Sequence, residues 1–240
     1  MQTRIHAILS ELREHAPFTL FGAVTGIAAM LLFAKASPVV SQRLFQVFHP
    51  AHVVLSAIVT ASLFKLHEKG RGIVAVLIVG YIGSVGVATL SDSVLPFFGE
   101  SLLGVAVPTE ARVHEMAGGH DEAGHAAEES GRPDIHLGFI KDWYLVNPAA
   151  ILGILVAWFR PRTKFPHAGH ILISTWASSF HVLMNTHREL SASLFLGVFV
   201  VLFVAVWLPC CLSDIIFPML FVRSPHLHLS HHLAEQEVRA

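Results

Sequence analysis

The chain has 240 residues, of which 53% are hydrophobic and 14% are charged, and its mean hydropathy is +0.60. These values exclude an ordinary soluble globular domain and are typical of an integral membrane protein. The formal net charge of −1 provides no broad basic surface, which excludes nucleic acid as a partner and leaves the lipid bilayer.

The first residues have the pattern of a short amphipathic helix. Ile5, Ile8, Leu9 and Leu12 recur at helical spacing among charged residues. A helix of this kind lies in the membrane interface with its apolar face toward the lipid. We expect residues 1–16 to form such an interfacial segment, retained in the protein, because no short apolar core with a cleavage site precedes Pro17.

Six apolar runs follow, each near the roughly 20 residues that a helix needs to cross a bilayer. They lie near residues 18–35, 50–65, 72–96, 143–159, 169–185 and 192–221. Segments rich in charge or helix breakers separate them. The sequence therefore predicts an all-α integral membrane protein with six transmembrane helices.

The longest connection divides the predicted spans into two groups of three. Residues 109–141 are acidic and rich in histidine, with Gly and Ala between, and have no apolar face. Such a segment cannot bury enough surface to order itself. We expect a first three-helix repeat at 17–108, this loop at 109–141, a second repeat at 142–222 and a His-rich tail at 223–240.

Two motifs of the first group return in the second. The repeated residues are His49, His52 and Ser91-Asp92 with Pro96 in the first, and His167, His170 and Ser213-Asp214 with Pro218 in the second. The histidines are offset by 118 residues (167 minus 49) and the aspartates by 122 (214 minus 92), and Ser56 and Ser174 coincide at the first offset. The pattern indicates duplication, and with three helices per repeat the two repeats must enter the membrane from opposite sides.

The repeated side chains are those that bind metal ions. His49 and His52 are three residues apart, so at the start of the second helix they share one face, and Asp92 returns toward the same side of the membrane. Two imidazoles and a carboxylate suit Zn, Fe, Mn, Co or Ni. The inverted copy predicts a second half-site on the opposite side from His167, His170 and Asp214, with Ser91 and Ser213 as hydrogen-bond donors behind the acids.

Other interpretations of these residues stay open. Histidines at helix ends can be merely interfacial, and an aspartate four residues before a proline can repair a kinked helix. His181 lies three turns beyond His170 and is either a ligand, a proton relay or a core histidine. Cys210 and Cys211 are either soft metal ligands or small buried residues.

Lysine and arginine are concentrated in the loops on one side of the predicted spans. Cytoplasmic loops carry this excess, so we expect both termini in the cytoplasm, the 109–141 loop outside, and a plasma (inner) membrane location. A homo-oligomer is left open.

The function that these patterns favour is a transporter or permease for a cation, with a divalent transition metal ahead of a proton. The alternative is a membrane-embedded metal-dependent hydrolase that uses the same ligands to activate water. An enzyme needs one competent site, whereas here both copies of the motif persist, which favours transport. A third hypothesis is an accessory subunit that delivers metal through its loop and tail.

Overall fold

The computed structural model describes residues 2–68, 70, 72–103, 140, 142–162, 164–185, 192–211 and 216–221, and every regular element in them is helical. The prediction of an all-α chain is confirmed for this part of the molecule. The elements in chain order are α1 (Gln2–Phe33), α2 (Pro38–His67), α3 (Ile73–Thr89), a π-helical turn (Leu90–Val94), α4 (Leu95–Leu102), α5 (Trp143–Phe159), α6 (Lys164–Asn185), α7 (Ala192–Cys211) and α8 (Phe217–Leu220).

Three helical stretches are long and apolar enough to cross a membrane, namely Ala16–Phe33, Val39–His67 and Ile73–Gly99. Two shorter apolar helices are Trp143–Phe159 and Leu194–Cys210. Many large apolar side chains on these helices face outward, among them Phe21, Leu32, Phe159 and Leu196. An outward apolar surface of this extent is what lipid requires, and it supports a membrane protein.

The bounds of two helices differ from the predicted apolar runs. Helix α1 extends from Gln2 to Phe33 through Pro17 without a break, so the predicted interfacial segment, from Gln2 onward, is continuous with the first apolar run. The second predicted span begins at residue 50, whereas helix α2 begins at Pro38 and contains Pro50. A proline removes one hydrogen bond but a long, well-packed helix tolerates it, whereas Pro38 at the first turn has a φ suited to starting a helix.

The pair at the centre of the molecule is α2 and α6. Two ring contacts follow one another along their interface, between Phe45 and His181 and between His52 and His170. Further along α2, the Ser62 hydroxyl accepts the N–H of Arg162, just before α6, at 3.1 Å. Residue numbers rise along α2 while they fall along α6, so the two helices run antiparallel. Their shared interface buries polar side chains and explains why α6 is less apolar than a helix that faces lipid.

The first helix of each half packs on the other half. Helix α1 lies against α6 and α7, and α5 lies against α2 and α3. Glycines allow both close approaches: a Cβ on Gly22 would lie 2.7 Å from Oγ1 of Thr175, and one on Gly153 would lie 2.4 Å from the carbonyl oxygen of Val54. Small residues at such crossings let helix backbones meet within a membrane.

We expect Gly153→Ala to lower the free energy of unfolding by about 1–3 kcal/mol, because the added methyl group must displace the backbone of α2. The matched control is Gly86→Ala in α3, where a Cβ meets nothing within 4 Å. Thermal unfolding of the detergent-solubilised protein measures both. Equal stability of the two variants would contradict the close approach of α5 to α2.

Candidate functional site

The π-helical turn at Leu90–Val94 sets the position of Asp92. Its hydrogen bond runs from the N–H of Leu95 to the carbonyl of Leu90, five residues back instead of the four of an α-helix. Pro96 has no N–H to donate to the Asp92 carbonyl, so the next α-helical hydrogen bond of this turn is missing. Turns of this kind are frequent at functional sites. This one holds Ser91, Asp92 and Ser93 fully buried.

One oxygen of the Asp92 carboxylate accepts hydrogen bonds from two imidazoles. Nδ1 of His49 lies 2.9 Å and Nδ1 of His52 lies 2.7 Å from Oδ2. A carboxylate only accepts, so both Nδ1 atoms carry protons. In the neutral tautomer, each Nε2 then keeps its lone pair, and neither Nε2 has a hydrogen-bond partner among the described residues.

The other oxygen of the carboxylate is held by hydroxyl groups. Ser91 Oγ donates to Oδ1 at 2.7 Å and Ser174 Oγ, from α6, donates at 2.8 Å. Ser178, one turn further along α6, lies 3.5 Å from Oδ1 and donates to the carbonyl of Ser91 at 3.1 Å. Both carboxylate oxygens are therefore engaged by the protein. Asp92 as a direct metal ligand stays a prediction, and in this structure its carboxylate contacts the histidines of α2 and the neighbouring serines.

A second group of polar atoms lies next to His52. The rings of His52 and His170 are 5.4 Å apart, and one ligand atom from each of His52, His170 and Cys210 falls within 4.8 Å of the others. All three residues are buried. Ligands of one metal ion stand up to about 4.6 Å apart when each bond is about 2.0–2.3 Å. The spacing of these three atoms is close to that of ligands around a single ion.

The structure joins residues that the sequence assigned to two sites. His170 belongs to the second half but faces His52 of the first, so these two histidines do not lie in separate half-sites on opposite sides of the membrane. The antiparallel crossing of α2 and α6 is the physical reason. His49 and His52 also lie 11 and 14 residues into α2 (49 minus 38, 52 minus 38), well inside the helix and not at its start.

The remaining predicted residues have different outcomes. His181 is buried, and its ring contacts Phe45, which stacks on His49, so one aromatic ring separates the two imidazoles. His167 and Cys211 lie in α6 and α7, but their side chains fall outside the described residues, as do Ser213 and Asp214 entirely.

Two residues close to Asp92 and His52 could not be assigned from the sequence. Ser178 was not singled out, although it follows His170 and Ser174 at spacings of four residues and so shares their face of α6. Cys210 was left open, since no pattern within α7 shows which way its sulfur points.

Comparisons of the chain with models of protein families, with curated proteins and with solved structures find no match. Its function is inferred from its own residues.

We expect Ser174→Ala to lower the free energy of unfolding by about 1–3 kcal/mol, because a buried carboxylate loses a hydrogen bond from another helix. Ser179→Ala is the matched control, since that buried hydroxyl bonds the Thr175 carbonyl within its own helix. Chemical or thermal unfolding in detergent compares them. If Ser179→Ala costs as much as Ser174→Ala, the interhelical bond to Asp92 is not what stabilises this interface.

Proposed function

We propose that this chain is a membrane transporter or permease for a cation, with a divalent transition metal as the favoured substrate. The observation that carries the proposal is the buried Asp92 carboxylate with two imidazoles on one oxygen, beside His170 at the crossing of α2 and α6. Ionisable groups within a membrane are costly and mark ion pathways. The membrane is the plasma (inner) membrane, with both termini cytoplasmic, as the loop charges predict.

In this proposal, the six predicted spans form two inverted repeats. An offset of 118 relates His52 to His170 (170 minus 52), and these two residues contact one another. A residue that touches its own counterpart lies on the axis that relates the two repeats. Because the helices that carry them are antiparallel, that axis lies in the plane of the membrane that both helices cross.

A second pair of contacts supports the same symmetry. Gly22 of α1 meets Thr175 of α6, and Gly153 of α5 meets Ala57 of α2, where a Cβ would lie 2.7 Å from the alanine methyl. Thr175 and Ala57 differ by the same 118 residues (175 minus 57). Each first helix thus packs on matched positions of the opposite repeat.

This arrangement suits alternating access. The site receives His49, His52 and Asp92 from one repeat and His170 and Ser174 from the other, so it lies at their interface. Rocking one repeat against the other around such a site exposes it first to one side and then to the other.

Asp214 has the corresponding role in the second repeat. The counterparts of Ser174 and Ser178 are Ser56 and Thr60 (174 minus 118, 178 minus 118), and both are fully buried without a hydrogen-bond partner among the described residues. Buried hydroxyls normally have a partner. In the proposed duplication, Ser56 and Thr60 are the sequence counterparts of the α6 serines, as Asp214 is the counterpart of Asp92 and His167 that of His49.

We expect Asp92→Asn to reduce zinc or cobalt flux into proteoliposomes by about 10- to 100-fold, because the histidines lose the group that fixes their tautomers. Asp214→Asn should reduce it similarly. A fluorescent indicator inside the vesicles measures the flux. Asp142→Asn is the matched control, a buried carboxylate at the start of α5 outside the cluster. Undiminished flux in the Asp92 and Asp214 double variant would remove the transport mechanism.

We expect deletion of residues 110–135 to weaken the apparent affinity for metal while leaving transport in place, because the acidic loop only concentrates cations near the entrance. The same flux measurement over a range of metal concentrations tests it. Complete loss of flux would favour the accessory-subunit hypothesis instead.

A further inference from the structure

The geometry points to Cys210 as the third ligand of one buried metal site with His52 and His170, selective for a borderline divalent ion such as Zn²⁺ or Co²⁺ over Mn²⁺, Mg²⁺ or Ca²⁺. This inference deepens the proposed function and depends on it, since it names the class of cation that the same cluster carries.

The first argument is the orientation of His52. Its Nδ1 is held by Asp92 at 2.7 Å, and its Nε2 is buried without a hydrogen-bond partner among the described residues. A carboxylate behind a histidine fixes the ring and strengthens the opposite nitrogen as a ligand in many metal sites. The ring is thus prepared to bind at Nε2, on the side away from Asp92.

The second argument is what surrounds His52. His170 comes from α6 and Cys210 from α7, so three different helices bring one ligand atom each within 4.8 Å of one another. Cys210 packs with Ile171 and Val206, which surround the site with apolar side chains. Apolar side chains beside two imidazoles and a sulfur limit the access of solvent to an ion held by these three ligands.

The third argument is chemical type and charge. Mn²⁺, Mg²⁺ and Ca²⁺ prefer oxygen ligands, but both oxygens of Asp92 are engaged by histidines and serines. A thiolate and imidazoles suit zinc and cobalt. When the ion binds, the Cys210 S–H proton leaves to solvent and a metal–sulfur bond forms. The thiolate and the carboxylate then balance the two charges of a divalent ion.

The test uses the full-length protein in lipid nanodiscs, titrated with Co²⁺ and then with Zn²⁺ as a competitor. A sulfur-to-cobalt charge-transfer absorption reports the thiolate ligand. We expect Cys210→Ser to abolish this absorption and to weaken zinc binding by more than about tenfold, since losing a ligand costs at least as much as losing its outer partner. Cys211→Ser, the adjacent cysteine, is the matched control and should keep both.

A second measurement avoids any variant that fails to fold. Zinc X-ray absorption of the wild-type protein should show one sulfur at about 2.3 Å together with nitrogen ligands. A zinc environment of nitrogen and oxygen alone would overturn the assignment of Cys210.

The inference and the proposed function fail in different ways. If Cys210→Ser keeps the cobalt absorption and the wild-type preference for zinc over manganese in flux, Cys210 is not a ligand and transport stands. If the absorption is lost in Cys210→Ser but the Asp92 and Asp214 double variant transports normally, the metal site stands and the transport mechanism fails.

Discussion

The structure depends on one requirement, that a carboxylate buried among apolar helices must have every lone pair engaged. An unpaired buried charge is far too costly, and removing a partner from a buried charge pair costs about 3–5 kcal/mol. Asp92 meets the requirement with two imidazoles from α2, a serine from its own π-helical turn and serines from α6. These bonds fix the relative positions of three helices at one point. Apolar packing in a membrane has no such directional preference, because lipid is as apolar as the helix surface.

Because of the same requirement, the site forms only where the two halves of the chain meet. Neither half holds enough donors for Asp92 by itself, since Ser174 comes from the opposite half to His49 and His52. Polar groups of α2 and α6 are buried between the helices, whereas many large apolar side chains elsewhere face outward. Composition along the helices therefore reflects position: α6 is the most polar of the long helices beyond residue 140 because its partner is the polar face of α2.

Much of the fold could be predicted from the sequence, because apolar runs of sufficient length mark helices regardless of their neighbours. Within the described residues, the pattern also pointed to His49, His52 and Asp92, whose side chains the structure brings together. The helix starts could not be predicted, since Pro17 and Pro50 lie inside helices whereas Pro38 begins one. The contact of His52 with His170 and the position of Cys210 beside them depend on how three helices cross. The periodicity of one helix does not show how that helix is aligned along another.

The π-helical turn has an effect beyond the orientation of Asp92. It contains one residue more than an α-helical turn, and one residue corresponds to a rotation of about 100° around the helix axis. The side chains of α4 are therefore rotated about the helix axis relative to where an unbroken continuation of α3 would place them. Gly99, which meets the side chain of Val201 on α7, would point elsewhere on an uninterrupted helix. The five residues of the π-helical turn therefore set both the direction of the Asp92 side chain and the face of α4 that packs against α7 instead of lipid.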